Sequence, residues 1–300
     1  MPLISIVIPT RDRGAEAAEA VRCVLTDPSD LELVVVDQSK DDSCVAALET
    51  IRDSRLRVIR SELRGASNAR NVGAAATSAP VLAFTDDDCR PEPGWASTML
   101  GLFAEEPRPD LVFGRVWLPP LDHPDDYAAS FEPKEREQRS VPMPDEDIGI
   151  GANFAVRRKV FEELGRFDPY LGPGAPRFRG AEETDLLIRS LHRGYRVVNA
   201  KESSVLHLGI RTGVDVRPLH VQYQFAVGAA FGKHARLDGV GGVADAAKWV
   251  GFYIRKTVVD ACQRQRPRPG VLYYFVAGAL STYRYRVDRA TGAFRERRGR

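Results

Sequence analysis

The chain of 300 residues contains no Cys-x-x-Cys pair, and its four cysteines, Cys23, Cys44, Cys89 and Cys262, are scattered. That pattern fits neither a zinc knuckle nor a disulfide framework, so a reducing cytosol is the simplest setting. No G-x-G-x-x-G follows any apolar run, which weighs against a dinucleotide-dependent oxidoreductase. No stretch reaches the roughly 20 apolar residues that would span a bilayer. The N-terminus passes from Met1 into "LISIVIPT" without a basic n-region, a long apolar h-region or a small-residue cleavage site. An excess of one charge is also missing, since 43 Lys and Arg face 41 Asp and Glu. Such a balance provides no global field for nucleic acid, and no nucleic-acid partner is expected. The arginine-dense stretch between Arg264 and Arg300 is the exception.

What is present is an ordinary globular apolar fraction of 43% and, over the first ninety residues, a regular alternation. "LISIVI" (3–8), "LELVVV" (31–36), "LRVIR" (56–60) and "VLAFT" (81–85) are short continuous runs rich in Val, Ile and Leu. Runs of this kind suit strands buried on both faces of a mostly parallel sheet. Between them "AEAAEAVRCVL", "SCVAALETIRD" and "SNARNVGAAAT" carry Ala, Leu and Val at helical spacing. The alternation reads as a βαβ series with right-handed crossovers. In an open sheet of this kind a ligand sits outside the carboxyl ends of the strands. That rule singles out Pro9, Thr10, Arg11 and Asp12, then Asp37, Gln38 and Ser39, then Arg64 and Gly65, and finally Asp86, Asp87 and Asp88. Three adjacent carboxylates repel, and keeping them together needs a cation, a cationic ligand or abundant water.

Further along, a helix is expected at about 94–105 and a strand at about 110–117. The segment at roughly 119–148 is rich in Pro, Asp, Glu and Arg and reads as a binding loop or lid. "GANFAVRR" (151–158) resumes a strand, "KVFEELGRF" makes a short helix, and a glycine-rich loop leads into the helix of "GAEETDLLIRSLHRGYRVV". Glu182, Glu183 and Asp185 fall at that helix start, where unpaired N–H groups and the helix dipole favour ionised carboxylates. Acidic first turns are also common for stability alone. From about 215 onward three helical patterns dominate, at 217–235, 243–263 and 270–286.

Taken in order, "SIVIPTRDR", "VVVDQSKDDS", "RGASNARNVG", "FTDDDCRPEPGW", "GANFAVRRKVFEELGRFD", "GAEETDLLIRSLHRGYRV" and "VLHLG" resemble the family-2 glycosyltransferases of the GT-A fold, over about residues 3–210. The resemblance implies a Rossmann-like α/β fold whose mostly parallel sheet is flanked by helices. It implies an inverting transfer from a nucleoside-diphosphate sugar, a UDP-sugar favoured, to an acceptor hydroxyl, with Mn2+ or Mg2+ as cofactor, in glycan or glycoconjugate biosynthesis. A hard divalent cation held by carboxylates would stabilise charge on the departing diphosphate. By resemblance Asp86-Asp87-Asp88 is the family's D-x-D motif, with Asp88 and His207 as metal ligands and Asp86 nearer the ribose or base. Pro9, Thr10, Arg11, Asp37, Arg70, Asp86, Asp87 and Asn153 are the expected nucleotide-sugar contacts. Glu183, with Glu182 beside it, stands where the family usually has Glu-Asp, and is the expected base. Taken without the resemblance, Asp37 reads as a turn or cap residue, Arg70 as a solvated helix face and His207 as a structural histidine. Trp95 and Trp117 could offer rings to a sugar, although core packing is the commoner fate of such rings.

These readings divide the chain into a GT-A domain at 1–212, with a nucleotide-binding half at about 1–90 and an acceptor half at about 91–212, and a C-terminal helical extension at 213–300. The extension lies outside the resemblance. "VLYYFVAGALSTY" (271–283) and "KWVGFYIRK" (248–256) suit either interfacial helices that contact the inner face of a membrane or a helical hairpin packed on the domain or on a second subunit. A cytoplasmic location follows, peripheral at the membrane if the first option holds. The acceptor class, glycan, lipid-linked sugar or small molecule, stays open, as does homo-oligomer formation. The rivals are a nucleotidyltransferase, which would follow its first strand with a glycine-rich phosphate loop rather than "PTRDRG", and a non-catalytic nucleotide- or carbohydrate-binding relative.

Overall fold

The computed structural model describes residues 2–123, 126–134, 136–144, 148–212, 216–263 and 269–297. In chain order the first half comprises β1 (Ile4–Thr10), α1 (Gly14–Leu25), β2 (Leu31–Asp37), α2 (Ser43–Glu49), β3 (Leu56–Arg60), α3 (Ala66–Ala75), β4 (Val81–Thr85), β5 (Cys89–Pro91), α4 (Trp95–Ala104) and β6 (Leu111–Trp117). There follow β7 (Glu137–Gln138), β8 (Asn153–Arg157), α5 (Arg158–Glu163), α6 (Glu182–His192), β9 (Val197–His207), α7 (Arg217–Leu237), α8 (Val240–Cys262), α9 (Pro269–Ser281), β10 (Tyr285–Val287) and β11 (Phe294–Glu296).

The central sheet runs β3-β2-β1-β4-β8-β6-β9-β5, with β7 beside β9. Its first four strands pair in parallel, with Thr10 level with Asp37 and Val7 level with Phe84. The fully apolar centres of β1, β2 and β4 are buried, because helices cover both faces. Beyond β4 the sheet mixes directions: β8 lies antiparallel to β4 and β6, β9 parallel to β6, and β5 antiparallel to β9. A knot of rings fills the core beneath the junction, where Phe84 stacks on Phe154 at 4.8 Å and Phe161 and Phe167 close around them.

A second core joins the segment at 141–191 to the C-terminal segment. Leu171, Phe178, Ala181 and Ile188 bury against Val227, Phe231, Trp249, Phe275 and Phe294. Helices α7 and α9 approach closely because small residues meet there: a Cβ at Gly228 or Gly232 of α7, or at Gly278 of α9, would collide with the backbone of the other helix. α9 ends at Ser281 rather than near residue 286. The Ser281 and Thr282 hydroxyls donate back to the carbonyls of Gly278 and Ala279, which competes with further helix. "YRV" then pairs with "FRE" as a two-stranded antiparallel sheet. The arginines at 264, 266, 268, 298 and 300 lie outside the described residues, as do parts of the expected 119–148 loop at 124–125, 135 and 145–147. Among the described residues no helix is long and apolar enough to cross a membrane.

Candidate functional site

The carboxyl ends of β1, β2 and β4 converge. Thr10 Oγ1 donates to Asp87 Oδ2 at 2.8 Å, joining the first strand end to the acidic triplet. Asp37 is fully buried. Its Oδ1 accepts from the Ser39 amide at 2.8 Å, and its Oδ2 has no donor among the described residues. A buried carboxylate oxygen without a partner is costly alone and suited to receiving a ligand N–H. Pro9 is half-buried at the same edge, whereas Arg11 is exposed and pairs with Asp12 at 3.4 Å.

The repulsion within Asp86-Asp87-Asp88 is relieved by two arginines of the chain itself. Arg13 Nη1 bridges Asp87 Oδ1 at 3.0 Å and Asp88 Oδ2 at 2.9 Å. Arg70 holds Asp86 at 2.7 Å with one amino group and Glu182 at 2.8 Å with the other. Arg70 is buried over the Phe167 ring, so it is neither a solvated helix face nor a group free for a diphosphate. Burial opposes its charge, but Asp86 and Glu182 outweigh burial and hold its pKa above the ordinary value. Asp87 is pushed up to about 6 by burial, with the charge of Asp88 adding to the shift and Thr10 and Arg13 opposing it.

His207, at the end of β9, lies level with Cys89 of β5 and so beside Asp88. Its Nδ1 donates to the Ala129 carbonyl at 2.8 Å, and Nε2 faces Asp88 Oδ1 at 3.4 Å. A backbone acceptor on one ring nitrogen fixes the tautomer and leaves the other free to bind a metal. Asp88, Cys89 and His207 bring their ligand atoms within 4.8 Å of one another. Burial and then the charges of Asp86 and Asp88 push the Cys89 thiol well up. It therefore stays protonated and leaves an O/N donor pair, which suits a hard or borderline divalent cation. A Cβ at Gly209 would run into the Asp88 carboxylate and the His207 ring, so glycine keeps this space open. Burial raises the Asp88 pKa, yet His207 and Arg13 together bring it below the ordinary carboxylate value.

Across the cleft α6 begins after Ala181, a non-glycine residue at φ 65°, a strained setting of the kind found at functional sites. Gly172, at φ 106°, passes so close to α3 and α6 that a Cβ would sit 2.9 Å from Ser67 Oγ and 3.1 Å from the Glu182 carboxyl. Glu182 and Glu183 are both buried. The expectation that the helix start keeps Glu183 ionised needs correcting. Burial first, and then the Glu182 carboxylate, push its pKa well above the ordinary value, because two buried carboxyls this close do not both ionise readily. Asp185 is no part of the cleft: it is buried among Arg189 at 2.7 Å, Lys233 at 2.7 Å and His234 at 2.9 Å.

Asn153 also departs from expectation. It is fully buried, donating to the carbonyls of Arg115 at 2.8 Å and Ser203 at 3.1 Å and accepting from Trp95 Nε1 at 2.9 Å. Its amide is consumed in clamping β8 to β6, β9 and α4, which leaves neither of its N–H groups for a sugar. Trp95 is likewise core, while Trp117 is half-buried and bonded to Glu92. The residues that sequence reasoning missed are Arg13 and Tyr223. Arg13 follows the first strand end by three positions, and a basic residue there was the available signal. Tyr223 of α7 lies against Gly180, just ahead of the start of α6. No local pattern links it to the site.

The mostly parallel sheet flanked by helices has the architecture of the GT-A fold. The chain belongs to the family "Glycosyl transferase family 2", whose model matches residues 5–165. It is 28% identical over 222 residues to the glucosyl-dolichyl phosphate glucuronosyltransferase of Haloferax volcanii, covering 68% of each chain. It is also 28% identical over 207 residues to the pre-mycofactocin glycosyltransferase of Mycobacterium tuberculosis, covering 65% of this chain and 40% of that protein. Among solved structures it is similar to the mannosyltransferase PcManGT from Pyrobaculum calidifontis in complex with GDP-Man and Mn2+, with a TM-score of 0.60, 16% identity, and 93% and 86% of the two chains covered. Residues 1–349 of S. aureus TarS superpose with a TM-score of 0.58 at 11% identity, covering 99% and 96%.

Proposed function

We propose that this glycosyltransferase moves a sugar from a nucleoside-diphosphate donor, a UDP-sugar favoured, to an acceptor hydroxyl in one displacement with inversion, assisted by Mn2+ or Mg2+. The observation that carries the reading is His207, whose Nδ1 is tied to the Ala129 carbonyl while Nε2 faces Asp88 at 3.4 Å. Asp88 and His207 would hold the cation, and a bound cation supplies Lewis-acid stabilisation of the departing diphosphate. The neighbour bound to GDP-Man and Mn2+ supports divalent metal use, and the glucuronosyltransferase relative supports sugar transfer to a glycoconjugate.

On this reading the chain's own groups divide the work. Asp37 Oδ2 accepts an N–H of the base, with Pro9, Thr10 and Arg11 bordering the nucleoside. Asp86 and Asp87 orient the ribose and diphosphate side, and Arg13 offers its charge to the phosphates. Glu183 takes the proton of the acceptor hydroxyl, and its raised pKa makes it a stronger base once deprotonated. Glu182, fixed by Arg70, orients that helix start. Residues 1–212 would form the catalytic domain and 213–300 a helical extension that completes its acceptor side.

The test is donor turnover with UDP-glucose, UDP-GlcNAc and GDP-mannose in the presence of Mn2+. Glu183→Gln is expected to keep nucleotide binding and lose turnover by about 10²–10⁴-fold. Full turnover in that variant would overturn the base assignment. Nucleotide binding without turnover by the native chain would favour the non-catalytic relative.

A further inference from the structure

A cavity of about 400 Å³ lies between the glycine-rich loop and helices α7 and α9, bordered by Arg177, Arg179, Val221, Phe225, Tyr273 and Tyr274. Its size falls within the range of small-molecule sites. Its floor and its rim differ in chemistry. Phe178 is fully buried in the second core and bridges to Leu171, so strand-like alternation turns Arg177 and Arg179 to the opposite side together. Both are exposed. The Arg177 guanidinium sits over the Phe225 ring at 6.0 Å, and neither arginine pairs with a carboxylate among the described residues. Tyr273, 66% exposed, extends the aromatic wall outward.

Two guanidiniums without carboxylate partners, two residues apart, are suited to a phosphate, which accepts their N–H groups in forked pairs. The aromatic wall beneath them suits an apolar substituent on that phosphate. The position is informative as well. The same loop runs directly into Glu182 and Glu183, and Tyr223, flanked by the cavity residues Gln222 and Phe225, lies against Gly180 at the loop's end. The nucleoside side of the cleft, at Thr10 and Asp37, belongs to other elements.

We propose that this cavity is the acceptor subsite and that it holds the phosphate ester and apolar group of an acceptor whose reacting hydroxyl is carried on a sugar linked to that phosphate. The inference rests on the glycosyl-transfer reading above and adds to it the class of acceptor.

The experiment titrates farnesyl phosphate, farnesol and inorganic phosphate into the full chain by calorimetry. Each titration is repeated with the Arg177→Ala/Arg179→Ala double variant and with Tyr273→Ser. UDP with Mn2+ is titrated in parallel. Farnesyl phosphate is expected to bind at least about tenfold more tightly than either fragment. The double variant should lose about tenfold or more of that affinity with UDP binding unchanged, and Tyr273→Ser should weaken farnesyl phosphate more than inorganic phosphate. Equal binding of farnesol, or no change in the double variant, would overturn the proposal. Arginine-dependent binding to phosphatidylglycerol vesicles without binding of monomeric farnesyl phosphate would also overturn it, moving the site from the cavity to a flat lipid surface. Nucleotide binding without farnesyl phosphate binding sinks this subsite alone. Farnesyl phosphate binding without nucleotide binding leaves the subsite standing and sinks the donor reading.

Discussion

Three adjacent aspartates stay together because Arg13 and Arg70 share them out, one at the exposed mouth of the cleft and one in its floor. Arg70 matters more for stability, since among the described residues it alone pairs with the buried Glu182. Arg70→Met should destabilise the fold by about 3–5 kcal/mol, the usual cost of stranding a buried charge, and chemical denaturation measures it. A loss under about 1 kcal/mol would mean the pair behaves as a surface bridge. Glu183 makes a second residue-level prediction. Its pKa is raised, so below that raised value the carboxyl holds its proton and cannot serve as base. Turnover should therefore climb with pH beyond the ordinary carboxylate range, and Glu183→Asp should retain this climb while Glu183→Gln abolishes it. A rate flat from pH 5 to 9 would count against the assignment. At this scale the placement of Asp37, the acidic triplet and His207 at strand ends was legible from the apolar runs, while the roles proposed for them rest on the resemblance to the family. Asn153 was misread because nothing in "GANF" reveals that its amide would meet two carbonyls and an indole.

Among the elements, the contact of α6 with α7 adds buried ion pairs to the apolar core that they share. Lys233 is buried between Asp168 at 2.8 Å and Asp185 at 2.7 Å. His234 bridges Asp185 to Asp238, and His192 joins Asp238 to Asp245, both at 2.8 Å. Hydrogen bonding to Asp238, partly opposed by burial, raises the His192 pKa above its ordinary 6.5. A group whose folded pKa is raised stabilises fully below its unfolded pKa, and loses that contribution as pH rises through the folded value. Thermal stability should thus decline from pH 6.5 upward, and His192→Gln should flatten this decline. An unchanged slope in His192→Gln would place the pH dependence elsewhere. The parallel strands were readable from continuous apolar runs, and the helices from their spacing. The β10–β11 hairpin was not, because three-residue strands carry too few positions to separate a period of two from one of 3.6.

For the whole molecule, the parallel half of the sheet supplies the edge proposed for the nucleoside, the mixed half brings β9 and His207 across to the acidic triplet, and α7 to α9 close the far side. The first two features follow from βαβ order and the rule that ligands gather at strand carboxyl ends. The third depends on long-range packing of glycines against helix backbone and on buried charge, which no local pattern encodes. The central claim is a cation-dependent nucleotide site at Asp37, Asp88 and His207. Calorimetric titration of UDP into the native chain, with Mn2+ and then with a chelator, tests it most directly, with Asp88→Ala alongside. The account predicts binding with Mn2+ that disappears with the chelator and in Asp88→Ala. Binding of equal strength under both conditions, or no binding under either, would contradict it.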